Sequence, residues 1–431
     1  MSRKVYRGML FHLLGDPAVD GTEAVAAFDD GALVVEDGHI AEAGSWETIA
    51  PHLAGTPVER IDGLMVPGFI DTHAHFPQLD IIAAPGARLL EWLSNYTFPA
   101  EERFAHKNVA QEAARFFLDQ LLAHGTTTAL VFATAHKVSA EALFEVALAR
   151  NVRLVTGKVL MDLGAPPGLC DTAETGFVES RALIRQWHGK GRLGYAVTPR
   201  FALTSSADQL EMAGRLLADN PGVHLHTHLS ENHEELAAVR RAFPDCGDYF
   251  AVYEKFGLAT PHSVFAHGIH LSDAEWVRLA QARSSIAFCP TSNLFLGSGL
   301  FNLEAAQAVG VAVGLGTDVG GGTSLSLLQT MNEAYKVCQL RRHPVDAFKL
   351  FYLATLGAAR ALRLDDRIGN FAPGKEADFV VLDAKLSPLL KRRLAYAKTG
   401  AERLFAFAML GDDRTIARTY VAGELAYGRA P

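Results

Sequence analysis

Between residues 69 and 318 the chain alternates two hydrophobic patterns. Short runs rich in Val, Ile, Leu and Thr are apolar at nearly every position, and longer stretches between them return an apolar residue every three or four positions. Uninterrupted runs suit strands buried on both faces, and the longer repeat suits helices with one buried stripe, so the alternation predicts parallel β/α units. Eight strands are predicted, over residues 69–75, 126–134, 152–160, 194–199, 223–228, 263–267, 285–289 and 311–318. Helical stretches such as 109–124, 140–151, 206–220 and 273–283 lie between them. Eight units of this kind close into a (β/α)8 TIM-like barrel.

The two ends are patterned differently. Gly31-Ala32-Leu33-Val34-Val35, then Glu36-Asp37-Gly38, then His39-Ile40-Ala41-Glu42-Ala43 reads as strand, Asp-Gly turn, strand. Near the other end, residues 377–382 read as a strand and residues 418–427 as a hairpin turning at Ala422-Gly423. The simplest assembly is a small β-sandwich domain built from both termini, residues 1–67 with 369–431, around a catalytic barrel of residues 68–368.

Composition narrows the partners. A chain of 431 residues exceeds what one simple core usually holds, which fits a barrel plus a second domain. The formal net charge of -8 argues against a nucleic-acid surface and for a small-molecule partner. Cys170, Cys246, Cys289 and Cys338 are scattered and form no Cys-x-x-Cys pair, as expected in a reducing cytoplasm. Residues 1–14 are interrupted by Arg3, Lys4, Arg7, Gly8 and His12, so no secretory leader is expected, and no apolar run is long enough to span a bilayer.

The chemistry gathers at predicted strand ends, where a barrel of this type carries its functional side chains. The first strand ends in His73-Ala74-His75, whose two imidazoles share a face because strand side chains repeat every second residue. The fifth strand ends at His228, the sixth at His267 and the eighth at Asp318. His224 and His226 lie deeper in their strand and read as core or supporting residues, and Asp318 has the alternative of capping a helix. His73, His75, His228 and Asp318 form a donor set for one divalent metal, zinc or alternatively iron, with room for a water whose pKa zinc lowers from about 15.7 toward about 7. Glu231 and Asp318 are the carboxylates in reach to carry protons, although Glu231 could instead complete a helix-start cap with Ser230.

Pro67-Gly68-Phe69-Ile70-Asp71-Thr72-His73-Ala74-His75, His226-Thr227-His228-Leu229-Ser230-Glu231-Asn232, Phe265-Ala266-His267-Gly268 and Gly314-Leu315-Gly316-Thr317-Asp318 together resemble the amidohydrolase superfamily. The likeness runs through Ile368-Gly369-Asn370-Phe371-Ala372-Pro373-Gly374-Lys375-Glu376-Ala377-Asp378 and so covers nearly the whole chain. Many members bridge two metals with a carboxylated lysine at the end of strand four. Here that strand ends Thr198-Pro199-Arg200, and Lys158, in strand three, reads as structural or solvent-facing, so the chain resembles the one-metal branch, rich in deaminases of nitrogen heterocycles.

Gln78, the segment from Leu89-Leu90-Glu91-Trp92 to Phe98-Pro99-Ala100-Glu101, Thr198-Pro199-Arg200-Phe201, Cys289-Pro290-Thr291-Ser292-Asn293 and Thr317-Asp318-Val319-Gly320-Gly321 are similar to the members of that branch acting on guanine. The resemblance implies hydrolysis to xanthine and ammonia in purine catabolism, with Glu231 protonating ring N3 and Asp318, helped by His267, carrying a proton to the leaving amine. It also implies a homodimer. A flat, neutral purine suits Gln78 and Arg200 as polar contacts and Trp92 and Phe201 as flanking rings. The alternatives are that Trp92 and Phe98 only anchor a loop and that Arg200 is a salt-bridge residue.

Overall fold

Asp37 and Gly38 take φ of 46° and 83°, the left-handed pair that reverses a chain between twisted strands. They close the hairpin predicted at the N-terminal end of this computed structural model, which describes residues 3–53, 55–86 and 89–429. Four strands form there: β1 (Arg3–Leu13), β2 (Val25–Glu36), β3 (His39–Ser45) and β4 (Val58–Pro67).

The chain then enters the barrel. Its strands are β5 (Phe69–His75), β6 (Thr126–Phe132), β7 (Arg153–Gly157), β8 (Val159–Leu160), β9 (Leu193–Pro199), β10 (His224–Leu229), β11 (Ser263–His267), β12 (Ser285–Phe288) and β13 (Ala312–Leu315). All pair in parallel, and β7 with β8 is one interrupted strand, so eight staves stand in sequence order. Backbone bonds from Asp318 N to His73 O (2.8 Å) and from His75 N to Val319 O (2.7 Å) join the last stave to the first. Helices including Lys107–Ala123, Lys137–Ala149, Ala173–Trp187 and Ala207–Asp219 surround them. Lys107–Ala123 is representative: Ala110, Ala114, Phe117, Leu118, Leu121 and Leu122 are its buried stripe, spaced three and four apart.

The predicted strand over 152–160 breaks at Lys158. Its ammonium is fully buried and pairs with Asp171 and, at 3.2 Å, with Glu179, so the residue is structural and does not face solvent. Just before it, Gly157 is required by packing, since a Cβ there would lie 1.9 Å from the Ala196 carbonyl of β9.

The C-terminal strands β14 (Phe379–Leu382), β15 (Ile416–Val421) and β16 (Glu424–Gly428) return to the first four. The resulting sheet runs β16-β15-β14-β4-β1-β2-β3, antiparallel except for the β1–β4 pair. In a flat sheet β1 and β15 would be about 14 Å apart, three strand spacings. Yet the Tyr6 ring lies 5.0 Å from Phe379 and 5.2 Å from Tyr420, so the sheet curls over its own core. The strand-only reading of the tail passed over helices Pro388–Ala395 and Gly400–Leu410, the second of which packs Leu404 and Phe407 into the barrel's core. Arg192 of the barrel meets Glu376 and Asp378, and Arg153 meets Glu376, which ties the base of the barrel to the terminal sheet. No described helix is long and apolar enough to cross a membrane.

Candidate metal centre and active site

Four staves bring their C-terminal ends to one rim. His73 and His75 end β5, His228 lies near the end of β10, His267 ends β11, and Asp318 follows β13. The Nε2 atoms of His73 and His75 are 3.2 Å apart, and Asp318 Oδ1 lies 3.1 Å from the first and 3.3 Å from the second. Donor atoms of His73, His228, His267 and Asp318 all fall within 4.8 Å of one another. Ligands about 2.0–2.1 Å from a tetrahedral metal must stand about 3.3–3.4 Å apart, so the closest of these spacings are those of a coordination shell. The residues therefore fit a single divalent ion.

The imidazole partners fix which nitrogen faces inward. His73 Nδ1 lies 2.6 Å from His226 Nε2, and His228 Nδ1 donates to the Arg200 carbonyl at 2.7 Å, so both present Nε2 to the centre. His267 differs: the amide nitrogen of Asn293 donates to its Nδ1 at 2.9 Å, which puts the ring proton on Nε2, facing Glu231 at 3.4 Å and Asp318 at 3.8 Å. His267 is thus a donor toward the centre rather than a lone pair.

Charge follows from burial. Desolvation pushes His75 down to about 3 and His267 to about 4. His228 falls well below its ordinary value for the same reason, reinforced by His73, His75 and His267. These rings are neutral, as metal ligands must be. Burial alone would raise Asp318, but the close approach of His73, then of His75 and His267, holds it well below the usual carboxylate range. Glu231 goes the other way, pushed well up by burial and by the neighbouring Asp318 and Glu235. Two carboxyl groups on one rim are therefore tuned apart, one held down and the other pushed up.

Neither carboxylate serves as a helix cap. Helix His233–Ala242 is capped by Asn232 with Glu235, while Glu231 Oε1 accepts from Ser298 Oγ at 3.1 Å. Asp318, at φ 50°, precedes no helix directly; the next begins at Leu327 behind Ser326. Ser230 and His267, at φ 49° and 72°, are the other rim residues in the left-handed region, where backbone strain gathers at sites of function. Below the rim, buried Asp71 accepts from Thr317 Oγ1 (2.5 Å), Thr317 N (3.0 Å) and His73 N (3.1 Å) and so couples both ends of the ring.

A pocket opens beside the cluster. Its wall includes Gln78, Trp92, Arg200 and Phe201 together with His75, His228, Glu231, His267 and Asp318. All four of the sequence's candidate contact residues are thus brought together with the metal-centre candidates. Trp92 also anchors its loop, donating from Nε1 to Ala84 O at 3.3 Å, and Arg200 is at once a pocket residue and an ion-pair residue, 2.9 Å from Glu101. His224 is apart from the site, bonded to Leu362 O at 2.8 Å. Sequence reasoning assigned no role to Glu101, Asn293 or Ser298. The first two lie in segments already quoted for their likeness, but an acid and an amide within short helices carry no signal of the partner they meet in space. Nothing in the sequence marks Ser298.

Residues 64–426 match the amidohydrolase family. A guanine deaminase of Escherichia coli is 50% identical over 417 residues, 95% of each chain. Among solved structures, E. coli guanine deaminase superposes with a TM-score of 0.97 at 48% identity, over 99% of this chain and 100% of the other. Guanine deaminase from C. acetobutylicum, with guanine bound in its active site, gives 0.89 at 29% identity over 99% and 100%.

Proposed function

This chain belongs to the amidohydrolase family, and we propose that it is a zinc-dependent guanine deaminase, converting guanine and water to xanthine and ammonia in the breakdown of guanine. The observation that carries this reading is one pocket whose lining brings His75, His228 and Asp318 together with Gln78, Arg200, Trp92 and Phe201. Guanine is flat and neutral, with a carbonyl, a ring N–H and nitrogen acceptors along its edge, and it wants a slot with a few placed polar groups. Arg200 offers a fork of donors for the carbonyl, and Gln78 offers one donor and one acceptor.

His73, His75, His228 and Asp318 would hold the zinc, which would supply Lewis acidity and make water nucleophilic at neutral pH. Trp92 and Phe201 border the ring and exclude bulk water. As water adds to C2, protonated Glu231 gives its proton to N3, and ionised Asp318 takes a proton from the water. The Nε2–H of His267 faces both carboxyl groups and helps Asp318 hold the proton it takes. Asp318 then gives its proton to the departing amine, and the proton of the C2 hydroxyl passes to Glu231 as the carbonyl forms, so both carboxyl groups return to their starting states.

A spectrophotometric panel tests the assignment. Purified protein is expected to consume guanine with equimolar ammonia and to leave adenine, pterins and triazines largely untouched. Turnover of another ring with none of guanine would replace the substrate.

A further inference from the structure

Glu101 lies behind the pocket wall, fully buried and absent from its lining. Its Oε1 accepts from Gln78 Nε2 at 2.9 Å and from Arg200 Nη1 at 2.9 Å, and its Oε2 accepts from the same Nη1 at 2.9 Å. On the opposite side of the Gln78 amide, Oε1 accepts from Gly320 N at 3.1 Å. Gly320 is itself pressed against this residue, since a Cβ there would lie 2.7 Å from the Gln78 carbonyl oxygen.

We propose that Glu101 is a positioning residue that sets the substrate preference of the pocket by fixing the orientation of the Gln78 amide and the seat of the Arg200 guanidinium. An amide rotated by 180° has nearly the same shape but exchanges donor for acceptor. A carboxylate only accepts and a backbone N–H only donates, so the two clamps permit one orientation. Two of the four hydrogen-bonding positions of Gln78 are thereby used inside the protein, leaving one N–H and one lone pair for a ligand. Glu101 also supplies the anionic partner of a buried guanidinium, and among the described residues the side chain of Arg200 bonds to no other group. The pocket thus meets a ligand with its donors and acceptors already set, which favours one pattern of carbonyl and N–H and penalises its inverse.

This inference rests on guanine being the substrate. The discriminating pair is guanine and 2,6-diaminopurine, which shares the reacting C2 amine but replaces the C6 carbonyl and N1–H by an amine and a bare nitrogen. Wild-type guanine turnover is measured first, and its absence overturns the substrate assignment itself. With that activity present, Glu101→Gln is expected to raise the KM for guanine at least tenfold with a smaller change in kcat. The ratio of kcat/KM for guanine over diaminopurine should narrow at least tenfold, at unchanged metal content. Glu101→Asp keeps the charge beside Arg200 but withdraws the oxygen from Gln78, and should narrow the ratio even if Glu101→Gln fails to fold. The effects of Glu101→Asp and Gln78→Ala should be less than additive in the double variant. A preserved substrate ratio in a folded Glu101 variant, or strict additivity with Gln78→Ala, would leave Glu101 a scaffold residue and overturn the proposal.

Discussion

His226 Nε2 stands 2.6 Å from His73 Nδ1, both rings buried, and this contact turns the other nitrogen of His73 toward Asp318 and His75. Burial, with His73 and His75 next in order, holds His226 well below its ordinary pKa, so it is a neutral acceptor for the His73 N–H. Such outer partners typically contribute about 10- to 100-fold in metal affinity. His226→Ala is expected to lose that much in a chelator-competition titration while keeping its fold. Unchanged affinity would show that His73 needs no orienting partner.

Burial, then the neighbouring Asp318 and Glu235, pushes Glu231 well above the usual carboxylate range. A group acting as an acid loses that capacity as pH rises through its raised pKa, so kcat should decline on the alkaline side. Glu231→Gln removes the proton but keeps the shape, and should reduce kcat about 10² to 10⁴-fold with the metal still bound. Its residual rate should lack the alkaline decline. A wild-type rate in this variant would remove Glu231 from the mechanism.

Asp71 is a structural counterpart to these acids. Its three donors, from His73 N and from Thr317 N and Oγ1, are buried and have no access to water in its absence. Leaving a buried donor unsatisfied costs about 1–3 kcal/mol, so Asp71→Ala is expected to lose about 3–5 kcal/mol in urea denaturation and to bind metal poorly. A loss below about 1 kcal/mol would mean that the two strand ends are aligned without it.

A pH effect on stability should appear far from the site. His12 in β1 is buried, accepts from Phe371 N at 3.3 Å, and is pushed down to about 4 by burial and then by Lys375. The unfolded chain takes up a proton near pH 6.5 that the folded form resists, so stability is full above that pH and falls as the solution is acidified toward 4. The contribution is about 3 kcal/mol from this residue. His12→Gln should flatten the stability profile over that window by up to one proton. An unaltered slope would assign the acid sensitivity to the other buried histidines alone.

The barrel was legible because its strands are apolar throughout and its functional residues sit where they end. Residues 69–75 and 263–267 are strands at the predicted bounds. The Asp37-Gly38 and Ala422-Gly423 turns were legible for a different reason, since few residue pairs tolerate positive φ in succession. Lys158 stayed open between a structural and a solvent-facing reading because a charged residue inside a strand shows no partner until Asp171 and Glu179 arrive from elsewhere in the chain. The same holds for Glu101, 99 positions from Arg200. Strand ends and turns are local signals, whereas a buried ion pair is created by the fold.

The most direct test is metal reconstitution of chelator-stripped protein with simultaneous assay of guanine loss and ammonia release. Turnover is expected to rise in proportion to added zinc and to level off at one ion per chain, with His75→Ala and Asp318→Asn failing to recover. Full guanine turnover by metal-free protein, or none at any metal loading, would contradict the account.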